Sequence, residues 1–254
     1  MIVTITDQPA MRDAARDEGD QYALPFVVRA ERATPSARTD ALECAARAVL
    51  ILLTDPRSAS DGLVDGEWAA AIRAWEDARI RKVVRRARGA AWDRVQELPG
   101  ITLAHRTAQV RVFPPVPVDD WPAELARLQV SGTDFDDPER PAPAPPAQPT
   151  MWITPEIPMT AGKAMAQAAH GAQLAWWRLS SADRVAWAAA GFDLAVRTAS
   201  PGQWALLLAS GLPVVQDGGF TEVAAGTRTV VADHPALRAL LLPTLPGIKH
   251  KALR

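Results

Sequence analysis

The stretch Met159-Thr160-Ala161-Gly162-Lys163-Ala164-Met165-Ala166-Gln167-Ala168-Ala169-His170 decides the fold of the second half of this chain. The 3.6-residue period of a helix brings Lys163, Gln167 and His170 to one face, and Met165 and Ala169 to the opposite face. We therefore expect a helix over residues 162–178 that packs its apolar face on a sheet. Its polar face is then available for chemistry.

Outward from this helix, the second half alternates short apolar strands with helices. Asp233 and Pro235 suit the N-cap and the first turn of a last helix. We predict strands over residues 151–154, 193–198, 213–216 and 229–232, and helices over residues 162–178, 182–190, 202–209 and 235–242. This order predicts an α/β sandwich.

A proline-rich segment divides the chain. Residues 131–149 are rich in Asp, Pro and Ala and end in Pro-Ala-Pro-Ala-Pro-Pro-Ala-Gln-Pro, which favours an extended polyproline conformation. We expect one domain over residues 1–130, a linker over 131–149 and a second domain over 150–254. A linker of this length can also run along the surface of two domains that pack together.

The two halves are similar to each other when they are aligned. The aligned pairs are Trp75 with Trp187, Trp92 with Trp204, Arg38 with Lys163, and Asp120 with Asp233. We interpret this as a tandem duplication, and the alternative is two unrelated Ala/Arg-rich stretches with chance tryptophans. The expected fold class is α/β, with two tandem three-layer α/β/α domains, each a small mixed four-stranded sheet flanked by helices.

The composition limits the class of protein. The chain has 254 residues, 48% of them hydrophobic, and a formal net charge of −1. This length allows two domains that each bury a core. Because the whole chain is almost neutral, it exerts no long-range attraction on nucleic acid, and any RNA contact requires a local basic patch.

Cysteine and histidine usage argues against several kinds of site. Cys44 is the single cysteine, which excludes an intramolecular disulfide and a multi-cysteine zinc site and fits a reducing compartment. The four histidines lack metal-ligand spacing, so neither metal nor cofactor is predicted. The longest apolar run, residues 45–53, is too short to cross a bilayer, and no export leader is recognised. We expect a cytoplasmic protein without a membrane partner.

Four blocks of the second half share a fixed order and spacing: residues 156–163, residues 166–171, Gln216 to Thr221, and Ala225 to Thr229. In these blocks residues 150–242 resemble the archaeal and eukaryotic type of peptidyl-tRNA hydrolase, and the first half resembles a degenerate copy. The chain departs from the family pattern at Thr154, Glu156, Phe220 and Ala225. The resemblance implies hydrolysis of the ester bond of peptidyl-tRNA, which releases peptide and free tRNA.

The catalytic residues that the resemblance implies are Lys163, Asp217, Thr221 and Thr229. In the first turn of a helix, the macrodipole opposes the Lys163 charge by about 0.3–1 kcal/mol, so an anionic partner is expected. We hypothesise that Asp217, oriented by Lys163, positions a water against the ester carbonyl. The two threonines would hold that water or donate to the oxyanion. The alternatives are a solvated surface lysine, an aspartate that only forms the turn before Gly218, and structural threonines.

Substrate contacts are predicted around this centre. The predicted substrate-binding residues are Gly162, Gln167, His170, Arg197, Gln216 and Gly219. No Cys or G-x-S-x-G elbow accompanies His170, so we expect a packed or hydrogen-bonded helix histidine. Candidate phosphate contacts are Arg197, the tail residues Lys249, His250, Lys251 and Arg254, and the basic run Arg79, Arg81, Lys82, Arg85, Arg86 and Arg88. The alternative for this run is a solvated charged surface.

The first half lacks the equivalent chemistry, because Arg38, Ala104 and His105 stand at the key positions. We expect it to dock on the second half as an intramolecular pseudo-dimer within a monomer. The alternative is two separate domains joined by a proline-rich linker, with the first domain binding ribosome or tRNA. The alternative functions are a non-catalytic tRNA-binding or regulatory relative, and an interaction scaffold without RNA.

Overall fold

The computed structural model describes residues 21–60, 64–219 and 221–241. Phe220, the predicted tail contacts Lys249, His250, Lys251 and Arg254, and the last residue of the helix predicted over 235–242 lie outside the described residues.

The first half is built from five strands and four α-helices among its described residues. Its elements are β1 (Tyr22–Arg29), α1 (Arg38–Thr54), a short 3-10 turn (Pro56–Ser58), α2 (Ala69–Asp77), β2 (Arg81–Ala87), α3 (Ala90–Gln96), β3 (Ile101–His105), β4 (Ala108–Val112), β5 (Val116–Pro117) and α4 (Ala123–Ala126). The strands form a mixed sheet in the order β2-β1-β4-β3, with the short β5 also paired to β1. This sheet therefore has one strand more than the four we predicted.

The second half repeats this plan. Its elements are β6 (Thr150–Ile153), α5 (Ala161–Arg178), α6 (Ser181–Ala189), β7 (Ala195–Thr198), α7 (Pro201–Ala209), β8 (Val214–Gln216), β9 (Arg228–Asp233) and α8 (Pro235–Leu241). The sheet order is β7-β6-β9-β8, where β6 and β7 run parallel and the other pairs antiparallel. The predicted α/β class, with two mixed sheets each flanked by helices, is confirmed.

Local geometry at the aligned tryptophans supports the duplication. The Trp75 indole N–H donates to the carbonyl of Arg81 at 2.8 Å, and the Trp187 indole N–H donates to the carbonyl of Asp193 at 2.9 Å. The residue before each of these carbonyls, Ile80 in one half and Phe192 in the other, has a positive φ, of 43° and 56°. Such backbone is uncommon for bulky residues, so its occurrence at equivalent positions fits two copies of one domain.

The two halves share one hydrophobic core in this structure. Helix α1 packs against helix α5, and a continuous cluster of buried apolar side chains includes Leu24 and Val49 from the first half and Met165 and Val230 from the second. Gly171 allows α5 to approach its own sheet, because a Cβ there would lie 2.7 Å from a Val230 methyl carbon. Each central helix also touches the outer parallel strand of the other half, α1 with β7 and α5 with β2.

The proline-rich segment runs along both halves. The carbonyl of Thr133 accepts from the N–H of Ala161, and the carboxylate of Asp137 accepts from both the N–H and the hydroxyl of Thr39. The carbonyl of Ala142 accepts from the Arg197 guanidinium. No helix in the described ranges is long and apolar enough to cross a membrane.

Candidate active site

The Lys163 ammonium and the Asp217 carboxylate form an ion pair. Lys163 Nζ donates to Asp217 Oδ2 at 2.5 Å and to Thr221 Oγ1 at 3.0 Å. The Lys163 side chain is 11% exposed and that of Asp217 is 4% exposed. Because both groups are largely removed from water, each depends on the other for charge compensation.

Two buried residues support the same carboxylate oxygen that accepts from Lys163. The Gln167 amide N–H donates to Asp217 Oδ2 at 2.9 Å, and the Thr229 hydroxyl donates to Gln167 Oε1. Thr229 is fully buried behind Gln167 on β9. The prediction that Thr229 holds the water or the oxyanion is therefore replaced by a positioning role, since its hydroxyl is already used inside the protein.

The loop after β8 is shaped around Asp217. The Gly219 N–H donates to Asp217 Oδ1 at 2.8 Å, and the main chain of Asp217 pairs with Gly226 and Thr227 across the loop. Gly219 has a φ of +77°, and a Cβ there would lie 2.7 Å from the Ala225 methyl group. Glycine is thus required both by the left-handed backbone and by the close approach of the loop to itself.

The N-terminus of α5 is capped by a residue that the sequence analysis did not select. The Thr160 hydroxyl accepts from the N–H of Lys163 at 3.3 Å and donates to Glu222 Oε1 at 2.7 Å, while the Thr160 N–H donates to Glu222 Oε2. A carboxylate at a helix N-terminus is favourable, and it partly offsets the unfavourable Lys163 charge in the same turn. The sequence feature that could have indicated this contact is Glu222, the acidic residue directly after Thr221.

An open cleft of about 740 Å³ adjoins the ion pair. Its lining includes the predicted site residues Gly162, Lys163, Gln167, His170, Gln216, Asp217 and Thr221. The opposite wall comes from the first half, where every residue of the run 78–84 lines the cleft. Sequence analysis did not predict this wall, because nothing along the chain indicates which strand of one half faces the helix of the other.

The half-buried His170 and the buried Lys82 both line this part of the cleft. His170 Nε2 lies 2.8 Å from the carbonyl oxygen of Ile80, and Lys82 Nζ donates to Gln173 Oε1 at 2.5 Å. Burial holds the pKa of His170 well below its usual value. Burial also holds the pKa of Lys82 well below its usual value, against the opposing influence of the Glu76 carboxylate. His170 is therefore a hydrogen-bonded, neutral wall residue at pH 7.

Arg197 is not in the cleft. Its guanidinium donates to Glu43 Oε1 at 2.7 Å and to the carbonyl of Ala142, and its side chain is largely buried. The predicted phosphate contact at Arg197 is therefore corrected to a contact between the two halves, because the buried carboxylate of Glu43 already holds its charge.

Most of the basic run is also engaged within the protein. Arg85 donates to the carbonyl of Leu128 at 2.6 Å and stacks over Trp121, and Arg86 donates to the Gln129 side chain. Lys82 is buried, as described above, whereas Arg88 is exposed. Arg79 and Arg81 line the cleft. The expected basic strand face is thus divided between the cleft wall and internal contacts.

The first half has an ionic cluster where the second has its ion pair. Glu43, which is 1% exposed, receives hydrogen bonds from His105, Arg106, Arg197 and the N–H of Val196. These donors outweigh desolvation and lower the pKa of the Glu43 carboxyl. Asp40, Glu43 and His105 have ligand atoms within 4.8 Å of one another. The two guanidinium groups already neutralise the carboxylates, so the arrangement favours a structural link between the halves over a metal site.

Cys44 does not supply a nucleophile. The thiol is buried, and burial raises its pKa to about 12, so the thiolate is absent at neutral pH.

Comparisons of this chain with protein-family models, with curated proteins and with solved structures find no match.

Proposed function

We propose that this chain hydrolyses the ester bond of peptidyl-tRNA. The observation that carries the proposal is the buried ion pair of Lys163 and Asp217 at the edge of a cleft of about 740 Å³, with Gln167 and Thr221 bonded to the same pair. A compact set of charged and hydrogen-bonding groups in a cleft is the arrangement expected of a hydrolytic centre. The sequence blocks that resemble the hydrolase family supply these same four residues.

Asp217 acts as the group that orients the attacking water. Its Oδ2 atom accepts from Lys163 and Gln167, whereas its Oδ1 atom accepts from the Gly219 N–H and retains a second lone pair for a water. The water oxygen bonds to the ester carbonyl carbon while its proton passes to the carboxylate. The proton then goes to the departing 3′ oxygen of the ribose, so the products are a peptide acid and a free hydroxyl. Such assistance contributes roughly 10²- to 10⁴-fold.

Lys163 stabilises the negative charge that develops on the carbonyl oxygen. An ammonium group has three N–H donors, and two of them bond to Asp217 and Thr221. The third is available for the oxyanion, and the low local dielectric strengthens that interaction. Thr221 shares the ammonium and supports the same oxygen.

The local charge of the cleft is compatible with an anionic substrate although the whole chain is almost neutral. Arg79 and Arg81 line the cleft wall that faces Lys163. RNA phosphates that follow the reacting ribose would meet this side of the cleft, and we expect their binding to weaken with salt.

Incubation of the purified chain with N-acetyl-aminoacyl-tRNA tests the proposal. Release of N-acetyl-amino acid and of tRNA with a free 3′ end, at a rate above the uncatalysed one, is the expected result. Saturable binding of the tRNA with no release of the acyl group would instead support the non-catalytic tRNA-binding alternative.

We also propose that the first half replaces the second subunit of a dimer, so that the chain works as a cytoplasmic monomer. The shared core and the Glu43–Arg197 link between the halves support this proposal. Size-exclusion chromatography with light scattering should give the mass of one chain, and a stable dimer would contradict it.

A further inference from the structure

A second pocket, of about 460 Å³, lies in the first half beside the cleft. Its lining includes the arginines Arg32, Arg86 and Arg88, and we call it the arginine pocket. Gly132 lines both this pocket and the cleft, so the two adjoin at that residue. Strand β2 also passes from one to the other, since Val84 lines the cleft and Arg86 lines the arginine pocket.

The arginine pocket is close to the reacting end of the cleft. The Arg86 guanidinium donates to the carbonyl of Ser131 at 3.1 Å. The carbonyl of Thr133 accepts from the N–H of Ala161, the first residue of α5, at 3.1 Å. Ser131 and Thr133 are two residues apart, which is at most about 7 Å along the chain. Arg86 therefore lies near the end of α5 that carries Lys163, and an RNA strand that leaves the ester on this side reaches the arginine pocket directly.

Arg86 is held in place by uncharged groups. Besides Ser131, its guanidinium donates to the side-chain oxygen of Gln129, and its backbone N–H donates to the carbonyl of the same residue at 3.0 Å. Gly132, with a φ of +69°, packs against this guanidinium, and a Cβ there would lie 3.3 Å from Arg86 Nη2. These acceptors orient the positive charge without neutralising it, so the guanidinium can still attract an anion.

Positive charge prevails in the arginine pocket. Among its described lining residues, the carboxylates are those of Glu31 and Asp134. Glu31 accepts from the Arg29 guanidinium at 3.2 Å and from the N–H of Gly89 at 2.9 Å, so Arg29 compensates its charge. The single charge of Asp134 then stands against the guanidinium groups of Arg32, Arg86 and Arg88.

We propose that the arginine pocket binds phosphate groups of the tRNA, close to the 3′ end that is esterified at Lys163. This inference rests on the proposed function for its choice of tRNA as the ligand. Guanidinium groups suit phosphate, because their planar N–H donors bond to two oxygens at once. Arg32 and Arg88 are exposed, so both side chains can reach a ligand in the open pocket. The first half thus contributes to substrate binding although it lacks the catalytic residues.

Phosphate contacts fit the range of substrates that the proposed function implies. They position a nucleic acid on a protein without reading its base sequence. A hydrolase that acts on peptidyl-tRNA meets many tRNA sequences, whereas the sugar-phosphate backbone near the 3′ end is common to all of them.

The salt dependence of tRNA binding tests the site directly. The variant combines Arg32→Gln with Arg88→Gln, because both side chains are exposed and their loss does not disturb the core. Loss of two phosphate contacts should reduce the slope of log Kd for deacylated tRNA against log salt by about 1.4–1.8. Binding at low salt should weaken at least about tenfold.

The control variant removes the same amount of charge elsewhere. Arg140→Gln combined with Arg178→Gln changes two exposed side chains that line neither the arginine pocket nor the cleft. We expect its affinity for tRNA and its salt slope to match those of the wild-type chain.

Two ester substrates separate phosphate binding from catalysis. N-acetyl-aminoacyl-tRNA carries the phosphates, whereas adenosine esterified at its 3′ oxygen with the same N-acetyl-amino acid has none. In the Arg32/Arg88 variant, kcat/KM for the tRNA ester should fall at least about tenfold through a higher KM. For the adenosine ester, kcat/KM should stay within about twofold of wild type, because the catalytic residues are untouched.

Three results would overturn the inference alone. The first is tRNA binding and hydrolysis by the Arg32/Arg88 variant that match wild type, and the second is an equal loss in the control. The third is binding of inorganic phosphate that the Arg32/Arg88 variant loses while it still binds tRNA normally, since the pocket would then be a site for a free anion. Absence of hydrolysis of both esters by the wild-type chain would overturn the proposed function instead, and a loss of tRNA binding confined to the Arg32/Arg88 variant would still support the inference.

Discussion

Lys163 Nζ and Asp217 Oδ2 lie 2.5 Å apart although 54 residues separate them in the sequence. Their contact depends on two elements that meet in space: Lys163 lies in the first turn of α5, and Asp217 directly follows the carboxyl end of β8. The pairing gives the lysine the anionic partner that its position at a helix N-terminus requires. It also explains why a turn aspartate is buried in this protein.

Replacement of Thr229 by valine should lower catalytic activity although Thr229 does not line the cleft. The Thr229 hydroxyl donates to Gln167 Oε1, so the change leaves a buried acceptor unpaired, at a cost of about 1–3 kcal/mol in the free energy of unfolding. Gln167 then orients Asp217 less well. We expect kcat for N-acetyl-aminoacyl-tRNA to fall about tenfold with KM nearly constant. Thr229→Ser, which keeps the hydroxyl, should restore most of kcat, and an equal loss in both variants would contradict the positioning role.

Substitution of two glycines in the Asp217 loop distinguishes the effect of backbone strain from that of steric clash. Gly219 and Gly226 both have φ near +78°, but a Cβ at Gly219 would meet Ala225 at 2.7 Å, whereas one at Gly226 has nothing within 4 Å. Gly226→Ala should cost only the left-handed strain, about 1–2 kcal/mol, with activity retained. Gly219→Ala should cost more and lower kcat, because the loop must move away from Asp217. Urea denaturation and steady-state kinetics measure both, and identical behaviour of the two variants would contradict the loop geometry.

The Glu43 cluster should hold the two halves together in a pH-dependent way. Glu43→Gln removes the charge that pairs with Arg197, and loss of a buried ion-pair partner costs about 3–5 kcal/mol in unfolding free energy. The pKa of Glu43 is lowered from 4.5 in the folded state, so this stabilisation is present above pH 4.5 and is lost as the pH falls through the lowered value.

Urea denaturation at several pH values checks this prediction. The difference between wild type and Glu43→Gln should be constant between pH 7 and pH 5 and should shrink below pH 4.5. The exposed Glu139→Gln serves as the control and should match wild type throughout. A difference that is the same at pH 7 and at pH 3 would contradict the assigned role of the charge.

The sequence predicted the fold well where local signals decide it. The second-half elements agree with the predictions within about two residues, since the helix period and the apolar strands are local signals. The Lys163–Asp217 site was predicted from motif blocks. The added strand β5 was missed because a strand of two residues, Val116 and Pro117, is too short to give a periodic signal.

The relation between the halves was not predictable in detail. Arg197 was expected to contact phosphate, but its partner Glu43 lies in the other half, and only tertiary packing brings them together. The wall formed by β2 was missed for the same reason. Thr229 was expected to hold the water or donate to the oxyanion, and its burial behind Gln167 depends on how α5 packs on the sheet.

The most direct measurement is a double-mutant cycle on N-acetyl-aminoacyl-tRNA hydrolysis with Lys163→Ala, Asp217→Asn and the two combined. When two groups act as one unit, removal of either one already abolishes their joint contribution to catalysis. We therefore predict that each single change lowers kcat/KM at least about 100-fold and that the double change lowers it no further. Asp93→Asn, on the exposed surface of α3, should retain full activity. Wild-type rates in all three variants, or losses that multiply in the double variant, would contradict the account.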